Sequence, residues 1–124
     1  MVTGVVMPKK KKENKLSLED KFIEVLEINH IEFQNKLFNL GDKLYLPDFV
    51  FGNFIVEVED CVSENRMKVI VEFKKCFPSY KLVLLTCDHA HSVQAAKEFH
   101  EVFDFDSVSI LLSEIKKHLR KGIN

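Results

Sequence analysis

Three carboxylates lie close together in the middle of the chain, within two apolar runs. Asp48 belongs to Leu46-Pro47-Asp48-Phe49-Val50-Phe51, and Glu57 and Glu59 belong to the run 54–59 that follows. Gly52-Asn53 between the runs is typical of a tight β-hairpin, in which residues whose numbers sum to about 105 face each other. Asp48 is therefore expected opposite Glu57, and strand alternation places Glu57 and Glu59 on one face, about 7 Å apart.

This arrangement favours a divalent metal ion. Like charges opposite each other on paired strands repel, and an uncompensated buried carboxylate costs several kcal/mol, on the order of 3–5. Mg²⁺ or Mn²⁺ prefers oxygen ligands and would offset that charge, and such an ion can activate water for attack on a phosphodiester. The alternative is that one or more carboxylates point to solvent from an edge strand.

The elements that position these residues can be predicted from periodicity. Ser17 is placed as the N-cap of a helix over about 18–29, and Ser63 can cap a second helix that Pro78 ends. The apolar run Leu82-Val83-Leu84-Leu85 predicts a buried strand over 81–86. Between the first helix and the hairpin, alternation predicts a strand over 31–37, a turn at 39–42, and one strand over 44–51.

The C-terminal third is predicted to be mainly helical. Ser92 can open a third helix with Ala95, Ala96, Phe99, Val102 and Phe103 on one side. A final helix reaches Lys121, with Gly122 past its end and a short strand near Val108 before it. The order is α-β-β-β-α-β-α-(β)-α, which predicts an α/β fold with a mixed β-sheet flanked by helices.

Charge divides the chain into a tail and a body. Residues 1–15 carry five Lys and one Glu, and we expect a basic flexible tail or, alternatively, an arm that contacts DNA. Residues 16–124 form the single domain and carry 13 basic and 18 acidic side chains, a net charge of −5. A body of that sign does not coat DNA generally, so nucleic-acid binding would use local basic features and metal ions.

Cysteine usage and hydropathy indicate the compartment. The three cysteines at positions 61, 76 and 87 are expected to be free, mostly buried thiols in a cytoplasmic protein. A zinc site formed by Cys87, His89 and His91 is a weaker alternative, because the spacing matches no CxxC or HxxxH pattern. No apolar run approaches the roughly 20 residues of a membrane span, so no membrane association is expected.

The hairpin residues resemble a known signature. Leu46 to Phe51 followed by Phe54-Ile55-Val56-Glu57-Val58-Glu59 is similar to the PD-(D/E)xK motif of restriction-endonuclease-like nucleases, closest to the small very-short-patch-repair-like endonucleases. The likeness covers residues 17 to about 86, and it implies the restriction-endonuclease-like core α-β-β-β-α-β. It also implies a metal-dependent endonuclease that hydrolyses DNA phosphodiester bonds.

The resemblance also implies roles for individual residues. Asp48 and Glu57 match the pair that binds Mg²⁺ or Mn²⁺, Glu19 matches a glutamate on the first helix, and Glu59 would position or deprotonate the water. Position 59 is Glu where the superfamily usually has Lys, so Arg66 or Lys74 would supply the cation that contacts phosphate. Chains of this kind often dimerise so that each subunit cuts one strand, and a homodimer is therefore possible here.

Two other interpretations stay open. The first is a non-catalytic nucleic-acid or protein interaction module built on a decayed nuclease fold. The second is a Toprim-like phosphotransfer domain, since Glu57 and Asp88 resemble its acidic pair, although Ala90 replaces the second aspartate and Asp48 is left without a role.

Overall fold

The computed structural model describes residues 16–87 and 96–123. The predicted tail, Asp88, His89, His91 and the start of the predicted third helix lie outside the described residues. The helices are α1 (Leu18–Ile28), α2 (Glu64–Cys76) and α3 (Val108–Ile123). The strands are β1 (Phe38–Asn39), β2 (Leu44–Tyr45), β3 (Phe49–Phe51), β4 (Phe54–Val58), β5 (Lys81–Thr86) and β6 (Glu101–Asp104), with 3₁₀ turns at Ala96–Glu98 and Phe105–Ser107.

Four of the strands form a mixed sheet. Its order is β3-β4-β5-β6, with β3 antiparallel to β4 and the other two pairs parallel. Helix α2 makes the crossover from β4 to β5 that a parallel pair requires. The predicted α/β class, a mixed sheet flanked by helices, is confirmed, and β1 and β2 form a separate two-stranded hairpin.

The sheet is buried on both faces. Phe22 and Leu26 of α1 pack with Leu111 and Ile115 of α3 on one face, together with Val83 of β5. On the other face, Ile70 and Phe73 of α2 pack with the β1–β2 hairpin. Both clusters exclude water, and this explains why β4 and β5 are apolar along almost their whole length.

Local sequence signals account for the first two helices. The Ser17 hydroxyl accepts a hydrogen bond from the Asp20 N–H at 3.0 Å, and the Ser63 hydroxyl accepts one from the Arg66 N–H at 3.1 Å. Each bond satisfies one of the free N–H groups at a helix start. Phe77 caps the end of α2 immediately before Pro78. The predicted ranges are confirmed to within one residue.

The segment before the hairpin is less regular than predicted. Residues 31–37 form no strand, and only Gln34 makes an isolated bridge, to Val50. Ile31 and Phe33 satisfy the alternation by packing into the core without a ladder. The predicted single strand over 44–51 is also wrong, because it divides into β2 and β3 around Pro47, which has no N–H for a ladder.

The C-terminal third differs most from the prediction. Phe99 follows a 3₁₀ turn that ends at Glu98 and does not continue a helix, while Val102 and Phe103 lie in β6, paired with Leu84 and Leu85 of β5. The predicted strand near Val108 is wrong, since Val108 begins α3. Pairing along an available sheet edge outweighs a local helical period.

Two smaller expectations are also corrected. Gly122 lies within α3, which runs to Ile123, and is not past the helix end. Cys61, Cys76 and Cys87 are thiols outside any disulfide, as expected, but all three are exposed instead of buried. Cys61 and Cys87 lie beyond the ends of β4 and β5, and Cys76 is the last residue of α2, so all three are outside the two packed clusters. Within the described ranges, no helix is long and apolar enough to cross a membrane.

Candidate functional site

The β3–β4 hairpin brings Asp48 and Glu57 together. Phe49 pairs with Val56 and Phe51 with Phe54, so the predicted register is confirmed. Beyond the last pair, the Val58 N–H donates to Asp48 Oδ2 at 2.8 Å, and the Asp48 N–H faces Glu57 Oε2 at 3.3 Å. The Asp48 carboxylate thus satisfies the Val58 N–H at the end of the β3–β4 ladder. This bond fixes the carboxylate beside Glu57.

Glu57 is a buried and fully hydrogen-bonded carboxylate. It is 1% exposed and lies in the interior of the sheet. The Tyr45 hydroxyl donates to Oε2 at 2.6 Å, and Arg66 donates to Oε1 through Nη2 at 2.7 Å and Nε at 3.0 Å. With the Asp48 N–H, these donors fill about four acceptor positions, the capacity of a carboxylate.

Burial dominates the protonation of Glu57. Desolvation raises the pKa of this carboxyl to about 7, the charge of Asp48 adds to the rise, and Arg66 and Tyr45 oppose it. Burial and the same carboxylate raise the pKa of Tyr45, which therefore keeps its proton and remains a donor. Glu57 is thus poised between charged and neutral forms near neutral pH.

Arg66 lies among all three carboxylates of the hairpin. Beyond its bonds to Glu57, Nη2 is 3.9 Å from Asp48 Oδ1 and Nε is 3.9 Å from Glu59 Oε2. Nη2 also donates to the Leu46 carbonyl at 3.2 Å. Burial lowers the pKa of Arg66, but the charge of Glu57 and the hydrogen bonds to it raise that pKa by more. The net shift is upward, so the side chain stays charged.

The guanidinium also stacks against the Tyr45 ring, 5.0 Å from its centroid. Arg66, Tyr45 and Glu57 therefore form one network at the start of α2. The first of the two cations suggested by the sequence is at the site.

Lys74, the second suggested cation, is elsewhere. It lies two turns further along α2, where its Nζ donates to the Glu98 carbonyl at 3.0 Å and is 3.9 Å from Glu98 Oε1. It therefore supports the turn that precedes β6 and does not neutralise the carboxylates.

Glu59 and Glu19 complete the acidic surroundings. Burial raises the pKa of Glu59, and the charges of Asp48 and Glu19 add to that rise while Arg66 opposes it. Burial also raises the pKa of Glu19 on α1, followed by the charges of Asp48 and Asp20. The two glutamates thus lie within electrostatic reach of each other and of Asp48.

The donor set is suitable for a hard cation. One carboxylate oxygen from each of Asp48, Glu57 and Glu59 lies within 4.8 Å of the others, so these residues could hold a metal ion. The ligands are all oxygen, as Mg²⁺ and Mn²⁺ prefer. Because Arg66 and Tyr45 already bond the two oxygens of Glu57, a metal ion would compete with these donors for the carboxylate.

Sequence reasoning missed Tyr45. It was expected to be one residue of a longer apolar strand, whereas its ring packs against Phe38 and Phe73 and its hydroxyl reaches Glu57. The available signal was general: a buried tyrosine normally needs a hydrogen-bond partner for its hydroxyl.

Comparison with known proteins adds no further assignment. No protein-family model matches the chain, and neither the curated proteins nor the solved structures searched include a match. Asp88, on which the Toprim-like interpretation depends, lies outside the described residues. The functional argument therefore depends on the geometry around Asp48, Glu57, Glu59 and Arg66.

Proposed function

We propose that this protein is a metal-dependent endonuclease that hydrolyses DNA phosphodiester bonds, with a restriction-endonuclease-like core. The observation that carries the proposal is the meeting of Asp48, Glu57 and Glu59 within 4.8 Å beside Arg66. Three carboxylates and a guanidinium are the groups needed to hold a divalent cation and a phosphate at one place.

The order of elements around the site supports the same proposal. Helix α1 carries Glu19, Asp48 directly precedes β3, Glu57 lies in the antiparallel partner β4, and α2 leads to the parallel strand β5. This is the arrangement that the PD-(D/E)xK resemblance implies, with the isolated bridge at Gln34 in the place of a first strand.

Asp48 and Glu57 would hold the cation through their carboxylate oxygens, with Glu59 beside them. A divalent cation supplies positive charge there, which polarises a phosphoryl oxygen and offsets charge that develops in the transition state. Glu59, whose Oε2 lies 3.9 Å from Arg66 Nε at the edge of the site, accepts the proton of the attacking water.

Arg66 exchanges partners in this proposal. Its Nη2 and Nε release Glu57 Oε1 and bind a phosphate oxygen of the substrate, which frees the carboxylate oxygen. Substrate binding and completion of the carboxylate site are thus linked through one side chain. Glu19 orients water at the outer edge of the acidic group.

Metal-dependent nicking of supercoiled, branched and mismatched DNA tests the proposal. Wild type should cleave in Mg²⁺ or Mn²⁺, and Asp48→Asn should reduce the rate by at least about a hundredfold because it removes a ligand charge. Asp42→Asn is the matched control, since this exposed aspartate lies in the β1–β2 turn, and its rate should equal that of wild type. Thermal melts with Mn²⁺ should show stabilisation that Asp48→Asn reduces.

The second candidate function is a non-catalytic nucleic-acid or protein interaction module on a decayed nuclease fold. The hydrogen bonding of Glu57 favours it, because Tyr45, Arg66 and the Asp48 N–H already satisfy the carboxylate without any ion. Absence of cleavage on every DNA, together with no melting shift in millimolar Mn²⁺, would replace the nuclease proposal by this one.

A further inference from the structure

A groove of about 1100 Å³ lies along the edge strand of the sheet. Residues 29–34 form one wall, the end of β3 and the β3–β4 turn form the floor, and the last turns of α3 form the opposite wall. Its nearest floor residue, Val50, is two residues beyond Asp48, or about 7 Å along the strand. The groove therefore begins two residues along the hairpin from Asp48 and extends toward the β3–β4 turn.

Specific contacts fix the walls of the groove. The Asn53 N–H donates to His118 Nε2 at 3.1 Å, which ties α3 to the hairpin turn. The Gln34 N–H donates to the Val50 carbonyl at 2.8 Å, which ties the other wall to the edge strand. The groove is thus formed by the fold itself and does not require a partner to shape it.

The groove combines positive charge with an apolar floor. Lys116 and Arg120 of α3 line one side and His30 the other, and Glu32 is the one carboxylate among the lining residues. Phe33 contributes a half-buried aromatic ring that packs at 4.7 Å on Phe49. Basic side chains beside aromatic and amide groups suit a nucleic-acid strand, whose phosphates and bases need both kinds of contact.

The charge of the rest of the body makes this location informative. Residues 16–124 carry a net charge of −5, so most of the surface repels a phosphate backbone. A nuclease with such a body needs a local basic surface next to its site. The groove provides one that begins two residues from Asp48 along the chain.

We propose that this groove binds the phosphate backbone of a single nucleic-acid strand that extends from the carboxylate site. The inference rests on the proposed function for the direction of the strand, while the binding itself can be measured without any cleavage. The residues that contact the strand are Lys116 and Arg120, with Phe33 beneath the bases.

Two adjacent lysines of α3 provide a matched test. Lys116 lines the groove, whereas Lys117 does not line it and is 3.9 Å from Glu114 on the same helix. Both lie in the middle of α3, more than one turn before its end at Ile123, so the helix dipole does not distinguish the two charges. A general electrostatic effect of α3 or of the tail would therefore treat the two positions alike.

The experiment measures fluorescence anisotropy of a short labelled oligonucleotide, as single-stranded DNA, single-stranded RNA and duplex, with the full chain in EDTA. Lys116→Glu should weaken single-strand binding by at least about fivefold and reduce the log–log salt slope by about 0.7. Lys117→Glu should change affinity by less than about twofold. Photo-crosslinks from the bound strand should map to residues 29–34 and 50–53.

Several results would overturn the inference. These are absence of single-strand binding by wild type, equal losses in the two lysine variants, or displacement of the strand by a mononucleotide at similar concentration, which would indicate a small-anion site. Because EDTA prevents cleavage, a failure of the nuclease proposal leaves this result unaffected. A protein that cleaves DNA but loses no affinity in Lys116→Glu would retain the nuclease proposal and refute the groove.

Discussion

The hydrogen bond from Tyr45 to Glu57 can be tested by removing one oxygen atom. Tyr45→Phe keeps the ring, which packs against Phe38 and Phe73, and deletes the hydroxyl that lies 2.6 Å from Glu57 Oε2. In the variant, Glu57 Oε2 stays buried, since Glu57 is 1% exposed. A charged Glu57 would then lack one of its donors in an environment that water cannot easily reach.

The size of the effect depends on pH. Folded Glu57 has a pKa of about 7, against 4.5 for the unfolded chain, so the folded state holds the extra proton between these values. The contribution of Glu57 to the free energy of unfolding is therefore fully present below about pH 4.5. It falls by about 3 kcal/mol as pH rises to 7. Above pH 7 the carboxylate is charged, and a hydrogen bond to it is worth about 2 kcal/mol, compared with about 1 kcal/mol for a neutral pair.

Tyr45→Phe should therefore reduce the free energy of unfolding by about 2 kcal/mol at pH 8.5 and by about 1 kcal/mol at pH 5. The corresponding fall in Tm at pH 8.5 is about 8 °C for a chain of this size. Urea unfolding and thermal melts at the two pH values give these differences directly.

Tyr80→Phe is the matched control. The chain has two tyrosines, and the Tyr80 hydroxyl accepts from exposed Lys36 Nζ at 3.0 Å, so its loss should cost less than about 0.5 kcal/mol at either pH. If Tyr45→Phe lost the same free energy at pH 5 and pH 8.5, the Tyr45 hydroxyl would not be supporting a buried charge, and the reasoning would be refuted.

Three further substitutions probe the hairpin and the core. Arg66→Gln should lower the free energy of unfolding in urea at pH 8 by about 3 kcal/mol, because Glu57 loses its buried counter-charge. The control Lys74→Gln should lower it by less than about 1 kcal/mol. Similar losses in the two variants would show that Arg66 is an ordinary surface cation. Gly52→Ala should lower the free energy of unfolding by about 1 kcal/mol, because φ at this position is 64°; a clash does not contribute, since a Cβ would stand 3.6 Å from His118. Gly52→Asn should lower it by less, because Asn tolerates this conformation. A larger loss for Asn would contradict the backbone explanation. Ile70→Ala leaves a cavity at a fully buried position between α2 and the sheet. It should lower the free energy of chemical unfolding by about 3 kcal/mol with an unchanged m value. A loss below about 1 kcal/mol would mean that this position is not part of the packed core.

The sequence predicted the parts of the fold that depend on short-range contacts. Ser17 and Ser63 each bond an N–H three residues away, and Pro78 ends α2 through its own ring. The Gly52-Asn53 turn joins adjacent strands, so turn chemistry alone fixed the register opposite Asp48. These signals need no information about the rest of the chain.

The sequence was misleading where a distant partner decided the conformation. Val102 and Phe103 have helical spacing, but they pair with Leu84 and Leu85 because β5 presents an open parallel edge. Residues 31–37 alternate like a strand, but their side chains find the core without a ladder. Local periodicity describes which residues are buried more reliably than which hydrogen bonds they make.

The candidate site shows the same division. The sequence alone determined that three carboxylates would meet on one hairpin, because strand geometry places Asp48 opposite Glu57. Only the tertiary structure decided that Arg66, and not Lys74, supplies the counter-charge, and that Tyr45 donates the remaining strong bond. The physical reason is that α2 must pack its apolar face against the sheet, and this packing fixes which turn of the helix stands over Glu57.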